Sequence, residues 1–437
     1  MYCGSCLHDN QLAAALIRQS VDTCLIPMYT PIRTDTEDVS LEQVFFGGIN
    51  VYLQQKSRLA GMLPGFVKRW LDHPAFLRWV TSRTMSTDAS RLGDLTLSML
   101  KGADGRQHQE VTKLCDWLVQ SLNPSIIVFS NVLISGCIPA IRQRLNVPIL
   151  VTLQGDDVFL GGLPDKDRAA AIEQIQKNAQ SIDGFVTHSE FYRDHMAEYL
   201  GLPLDKFRIA PLGVAVEDFR PDSKSTSGVT SGVTSGATSE PSHATRAATV
   251  GYLAKLVPEK GLHLIIDAVA KLREMPDLAN TRLAVAGWSG GDQADYARRE
   301  IERATKLLGK EGFTHHGEVT RQEKIDFLHA ADVLSVPSPY KDPKGLYAIE
   351  AMASGKPVVL PDHGAFPELI QRTGGGKLFA ADNVDSLVEM LAELIRDNQL
   401  RTQLGNAGFD AVNERHSIEV AAQATWEVYK QFFQHRN

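Results

Sequence analysis

The sequence predicts an α/β chain built on two parallel sheets, each covered by helices on both faces. Three observations predict it. Short apolar runs rich in β-branched residues recur along the chain, separated by longer stretches of helical periodicity. This alternation occurs twice, once on each side of a low-complexity stretch, SGVTSGVTSGATSEPS, within Ser223–Arg246. Finally, 437 residues exceed what one hydrophobic core sustains, so two domains are expected. Strand–helix–strand alternation of this kind lays parallel strands in one sheet and their crossover helices on its faces.

Taken in order, the first half reads as strands at Thr23–Met28, Ile126–Ser130, Ile149–Leu153, Phe185–Thr187 and Phe207–Ala210. The second half reads as strands at Ala248–Leu253, Arg282–Ala286, Val333–Pro337, Pro357–Leu360 and Lys377–Phe379, with helices such as His263–Arg273 and Ala294–Leu308 between them. The repeat SGVT/SGVT/SGAT offers almost nothing to bury, so residues 221–247 are expected to be a flexible linker between a domain at 1–220 and a domain at 248–417. Residues 418–437 carry Ala421, Ala422, Trp426, Tyr429 and Phe432 at helical spacing, the pattern of a terminal helix docking back toward the N-terminal domain. Residues 56–123 depart from the alternation. They read as a helical insert with Phe66, Trp70, Phe76, Trp79 and Trp117 among Lys68, Arg69, Arg78 and Arg83. These aromatics either pack on the first domain or form a basic, aromatic face for an acceptor or a membrane surface.

Composition excludes several classes. A net charge of −7 gives no electrostatic reason for nucleic acid as a partner. No run approaches the apolar length that spans a bilayer, and MYCGSCLHDNQ has neither the basic start nor the apolar core of a secretory signal. The cytoplasm is the expected compartment, with peripheral association at the inner membrane face as a variant. Five cysteines (Cys3, Cys6, Cys24, Cys115, Cys137) give no disulfide framework. Cys3 and Cys6 form a lone C-x-x-C with no second ligand pair at zinc spacing, so no metal site is expected. No G-x-G-x-x-G follows a strand in either half, which argues against a nicotinamide dehydrogenase.

The chemistry concentrates in two stretches. In SPYKDPKGLYAIEAMASGKPVVLPDHGAFPEL, Asp342 and Glu350 stand eight residues apart around the start of an apolar helix opening near Gly345–Leu346. The free N–H groups and dipole at that helix start suit an anion such as a diphosphate. Glu350, about a turn inside, can accept hydrogen bonds from ribose hydroxyls, and Asp342 from those of a hexose. In GYLAKLVPEKGLHLIIDA, Lys255 and Lys260 lie between a strand and a helix opening near Gly261. Two cations there can neutralise a departing diphosphate without a metal. His188 and His315 read as structural or surface histidines, whereas His8 lies close to a glycine loop.

These stretches resemble family 4 of the retaining glycosyltransferases. The resemblance covers most of the chain and is strongest from Gly251 to Leu369. The family pattern of an acidic residue, seven others, Glu-Ala-Met and then Gly-x-Pro-Val-Val reads here as Asp342, PKGLYAI, Glu350-Ala-Met and Gly355-Lys-Pro-Val-Val. The family's basic pair falls on Lys255 and Lys260, its base-side segment on His316–Val319, its Pro-Ser turn on Pro337-Ser338, and its P-x-G-V phrase on Pro211–Val214. The resemblance implies the GT-B fold, two Rossmann-like domains facing each other across a cleft, and sugar transfer from a nucleoside diphosphate sugar with retention and no metal or other cofactor. It implies Lys255, Lys260, Asp342 and Glu350 as catalytic groups. Gly4, His316, Val319, Ser338, Gly345, Leu346 and Tyr347 join Glu350 as donor contacts, and His8, Asp9, Gln154 and Asp157 lie on the acceptor side. The acceptor is a glycan, a lipid-linked sugar or a small molecule.

Four positions depart from the pattern. Asp342 replaces the usual Glu, Lys255 the usual Arg, and Gln154 stands where a strand often ends in His. The chain also opens inside the family's glycine loop, at Met1-Tyr2-Cys3-Gly4, so a first sheet without its first strand is expected. A sugar-nucleotide-binding protein with impaired catalysis, or a nucleotide-sugar epimerase of the same fold, are the alternatives these departures leave open.

Overall fold

The computed structural model describes residues 4–29, 31–32, 34–46, 93–220 and 247–433. In the first half, β1 (Ile127–Phe129), β2 (Ile149–Thr152), β3 (Gly184–Thr187) and β4 (Phe207–Ile209) form one parallel sheet in the order β1-β2-β3-β4. Every residue of β2 and β3 is buried, which explains their near-continuous apolar sequence: strands covered on both faces have no polar side to alternate with. Ile138, Ile141, Ile175, Tyr192 and Leu200 pack with Leu153, Phe185 and Phe207 in the core, where the two Phe rings stack at 5.1 Å. The described part of the expected insert, helices Gly93–Lys101 and His108–Trp117, joins this same core through Leu100, Val111 and Leu114, and Trp117 lies against Phe45. Phe66, Trp70, Phe76, Trp79 and their basic neighbours lie outside the described residues, as does Cys3.

The expected strand at Thr23–Met28 is not one: among the described residues it makes a single parallel bridge, Leu25 to Ser40. A ladder needs an adjacent edge, and here Leu25 and the β1 segment instead both line cavities of about 600 and 270 Å³. Pro27 removes a donor as well.

In the second half the sheet order is β10-β9-β8-β5-β6-β7, again all parallel. Its strands are β5 (Thr249–Leu253), β6 (Arg282–Ala286), β7 (Phe313–Gly317), β8 (Val333–Ser335), β9 (Val358–Pro361) and β10 (Gly376–Phe379). Four are within a residue of the expected bounds, β8 stops two residues short of them, and β7 is new. FTHHG carries two histidines and two exposed positions, because β7 is an edge strand and its composition hides it. The helix Leu262–Glu274 buries Leu262, Ile265, Ile266, Val269 and Leu272, one stripe at helical spacing facing the sheet. Helix Ala294–Gly312 runs past its expected end through Gly309, whose φ of 70° marks a kink. Thr320 and Glu323 close a reciprocal capping box that starts helix Arg321–Ala330.

The chain divides into two units at Val214 and Ala215, earlier than the expected boundary. Asp342–Lys344 and the residues from Arg415 onward group with the first unit. The helix Ile418–Lys430 is therefore part of the first unit; its Tyr429 packs with Leu150, Val186 and Ala210. Val214 bridges Ser417, and His416 bonds the Leu212 carbonyl at 2.8 Å. Residues 221–246, most of the expected linker, lie outside the described residues.

Candidate functional site

In the second unit the chain runs from β5 outward to β6 and β7, then returns to β8 on the other side of β5. The boundary between β5 and β8 is thus the point where strand order reverses. In open parallel sheets, ligands bind at the carboxyl ends of the strands at such a point. Both chemical stretches read from the sequence emerge there, Lys255–Lys260 after β5 and Ser338–Glu350 after β8.

The first loop is held from below. Buried Tyr252, in β5, places its hydroxyl 3.3 and 3.2 Å from the carbonyl oxygens of Lys255 and Lys260. Gly261 follows with φ of 72°, and a Cβ there would stand 1.9 Å from the Pro337 carbonyl oxygen, so the loop after β5 touches the loop after β8 through a residue that has to be glycine. The lysine ammonium groups lie over aromatic faces. Lys255 Nζ is 5.5 Å from the Trp288 ring, and Lys260 Nζ is 5.9 and 5.6 Å from Tyr340 and Tyr347. A ring attracts a cation without cancelling its charge, so both lysines are oriented by their rings and keep their positive charge.

The second loop ends at Gly345, with φ of 65° and Phe366 so close that a Cβ would meet its ring at 2.7 Å. Gly345 is the N-cap of helix Leu346–Ala353 and supplies no side-chain cap. The N–H groups of that first turn are directed at whatever occupies the loop. Glu350 is buried one turn in, its Oε1 2.7 Å from Lys324 Nζ of helix Arg321–Ala330. Ser338 is buried too, its hydroxyl lying 2.7 Å from the carbonyl oxygens of both Glu259 and Tyr340, so it ties the two loops together. His316 is exposed at the end of β7 with its ring edge on Phe327, and Val319 is half-buried nearby in sequence. His315 is half-buried, and burial followed by the neighbouring His316 charge holds it below the ordinary histidine range.

In the first unit, helix Gly4–Arg18 and the loops after β1, β2 and β3 gather a polar cluster. Gly4 begins that helix on the surface. Gln154 Nε2 donates to Asp9 Oδ1 at 2.9 Å, and Lys344 Nζ donates to Gln154 Oε1 at 3.0 Å and Ser5 Oγ at 2.9 Å. Burial alone would raise the Asp9 carboxyl, but bonds from His8, Ser130 and Gln154 hold it below the usual carboxylate range. Asp342 accepts the Lys344 backbone N–H at 3.1 Å. Asp157 stands apart from Asp9 and Gln154: its Oδ1 accepts the buried Tyr192 hydroxyl at 2.6 Å, and that hydroxyl accepts the Gly155 N–H at 2.8 Å. Neighbouring Asp156 takes N–H bonds from Gln154 and Val132, tying the β1 and β2 loops together, while burial pushes its carboxyl up to about 6. Asp156, Tyr192, Tyr252, Lys324 and Lys344 were not legible as site residues. Each acts through a partner at least twenty residues away or sits inside an ordinary-looking strand or helix.

His8 and His188 meet edge to face at 4.8 Å. His188 donates from Nδ1 to the Ala210 carbonyl at 3.0 Å, while Nε2 on both rings is buried without a hydrogen-bond partner. Burial, then the nearby charges of His8 and Lys344, hold His188 well below 6.5, so it is neutral in the fold. An unfolded chain binds that proton more readily, so the native state loses stability as pH falls below about 6.5. We expect wild type to lose melting stability relative to His188→Gln between pH 6.5 and 5, by up to about 1.4 kcal/mol per pH unit. Parallel curves for the two proteins would remove this account of the histidine.

Residues 238–410 match the family described as Glycosyl transferases group 1. The second half of the chain carries the match, and the relatives found with it are named glycosyltransferases. The transferase is 25% identical to a D-inositol 3-phosphate glycosyltransferase of Nocardia farcinica over 88% of its length and 86% of that protein. It is 22% identical to an uncharacterized glycosyltransferase of Methanocaldococcus jannaschii over 98% of its length and 94% of that one. Among solved structures, the fold is similar to a sucrose-phosphate synthase of Thermosynechococcus elongatus (TM-score 0.60, 20% identity, 75% of this chain and 79% of that chain). It is also similar to Anabaena HepE in complex with UDP (TM-score 0.59, 16% identity, 76% and 84%). The fold of this glycosyltransferase is thus GT-B, as expected. Among its described residues, no helix is long and apolar enough to cross a membrane.

Proposed function

We propose that this glycosyltransferase moves a sugar from a nucleoside diphosphate sugar to an acceptor hydroxyl, with retention of configuration and without a metal. One observation carries the reading. At the reversal point of the second sheet, two ring-steered lysines stand beside the loop that ends at a helix start with glycine as its N-cap, and a buried carboxylate lies one turn into that helix. Positive charge suits the diphosphate that must leave, and the carboxylate suits vicinal hydroxyls of a ribose. The Anabaena neighbour, whose structures are described with UDP and UDP-glucose, supports a donor of this class.

In this reading the diphosphate lies between Lys255, Lys260 and the N–H groups of Leu346 and Tyr347, and Glu350 takes the ribose. The base lies toward His316–Val319, and Asp342 takes hydroxyls of the transferred sugar. Lysine ammonium groups do what a divalent ion does elsewhere, stabilising charge on the leaving phosphate. The acceptor belongs to the polar cluster of Ser5, His8, Asp9, Gln154 and Lys344, which offers both donors and acceptors to a polyol. No side chain is assigned as base, since the leaving phosphate oxygen can take the acceptor proton.

A thermal-shift panel of UDP, GDP and ADP with several of their sugars, run with a chelator, tests the donor site. A ligand at roughly a hundred times its dissociation constant stabilises by about 2.7 kcal/mol, which moves the melt by a few degrees. A shift from one nucleotide family with chelator present is expected. No shift from any of them would overturn the donor assignment, and a shift only with added divalent ion would overturn metal independence. Proton NMR of the first product decides the anomeric configuration. Donor binding without transfer or hydrolysis on any acceptor would leave a sugar-nucleotide-binding protein.

A further inference from the structure

The ion pair between Lys324 and Glu350 has a further role in the donor site. Both side chains are about nine-tenths buried, at 11% and 9% exposure, and Nζ meets Oε1 at 2.7 Å. A carboxylate removed from water needs a partner, and one that must also meet a ligand needs a partner that leaves an oxygen over. Lys324 provides this. Among the described residues, Glu350 Oε2 takes no hydrogen bond. Lys324 is itself constrained: its ammonium lies 5.6 Å from the centre of the Phe219 ring, in the short helix Val216–Phe219. From the helix that carries Lys324, Arg321 also covers that ring at 5.4 Å and pairs with Asp218. The cation is thereby fixed by an aromatic surface as well as by the carboxylate, and the pair joins two helices, Arg321–Ala330 and Leu346–Ala353.

We propose that Lys324 is a positioning residue for nucleotide binding, anchoring Oε1 of Glu350 so that Oε2 is presented to a ribose hydroxyl. This inference rests on the reading that Glu350 faces the ribose. A free glutamate rotates about three bonds, and ordering it on binding costs part of what its hydrogen bonds return. With Oε1 anchored, that ordering is completed during folding. Lys324 touches no ligand in this account. Its effect is confined to the sugar hydroxyls of the nucleoside.

The test is the affinity ratio between a ribonucleotide and its 2′,3′-dideoxy counterpart, measured by calorimetry for UDP, ADP and GDP with the full chain. Wild type is expected to prefer the ribonucleotide it binds by about tenfold or more, the usual size for hydrogen bonds to a charged group. Glu350→Gln should remove most of that preference. Lys324→Met should shrink it to within about threefold while affinity for the dideoxy compound stays as in wild type. A general weakening would move both affinities together, so the ratio separates positioning from loss of structure.

If wild type and Glu350→Gln show the same ratio, Glu350 does not face the ribose, and the underlying reading is wrong. If Glu350→Gln loses the preference while Lys324→Met keeps it, the reading survives and the positioning role is overturned. Should Lys324→Met fail to fold, Lys324→Gln carries the same measurement, because its shorter, uncharged amide does not reach the position from which Nζ holds Oε1 yet leaves a polar group in the pocket. Loss of folding in both variants would also overturn the proposal, by assigning the pair to the stability of the unit.

Discussion

Glu350→Ala is expected to lower donor-dependent turnover, as kcat/KM, by about a hundredfold or more, because it removes charged hydrogen-bond acceptors worth about 1.5–3 kcal/mol each. The same change leaves Lys324 buried opposite an empty space. Breaking a buried pair by removing one partner typically costs about 3–5 kcal/mol, so a lower melting temperature accompanies the kinetic loss. Glu350→Gln separates the two effects. Its amide oxygen can still accept from Lys324 Nζ, so stability should fall less, while turnover stays well below wild type because the negative charge is gone. Turnover near that of wild type in folded Glu350→Ala would remove the central claim about this site.

Lys260→Met is expected to cost about a hundredfold in kcat, the usual size when one group stabilising transition-state charge is removed. Methionine keeps the unbranched apolar stem that lies among Tyr340 and Tyr347, so the melting temperature should move little. Lys255→Met should act in the same direction. The double variant should lose less than the product of the two if, as proposed, both lysines face one diphosphate. A pure rise in KM, with kcat untouched, would mean that the lysines hold the donor equally in ground and transition states. They would then be binding groups only.

Much of this protein was legible before any coordinate. Apolar runs such as VVL and ILV announce strands covered on both faces, because burial leaves no polar alternation to obscure them. Gly345 and Gly261 announce helix starts, since the left-handed backbone at each favours glycine. Failures came where a neighbour decided the outcome. Thr23–Met28 has the composition of a strand, but among the described residues it forms only one bridge and lines a cavity together with β1. FTHHG looks like a loop, and it is a strand because β6 offers it a ladder.

The candidate site divides along the same line. The spacing of Asp342 and Glu350 and the pair Lys255 and Lys260 lie within short stretches, where side-chain chemistry and helix phase can be read directly. What those residues touch depends on parts of the chain far away in sequence. Lys324 reaches Glu350 across 26 positions, Lys344 reaches Gln154 across 190, and Asp156 bonds Val132 across 24. Sequence by itself determined the parallel sheets, the helix starts and the chemical groups at their ends, because these follow from local periodicity and backbone freedom. Only the tertiary structure decided which carboxylate is anchored, which cation rests on a ring and which histidine is held neutral. Burial and pairing are properties of neighbours in space, and a linear pattern does not record them.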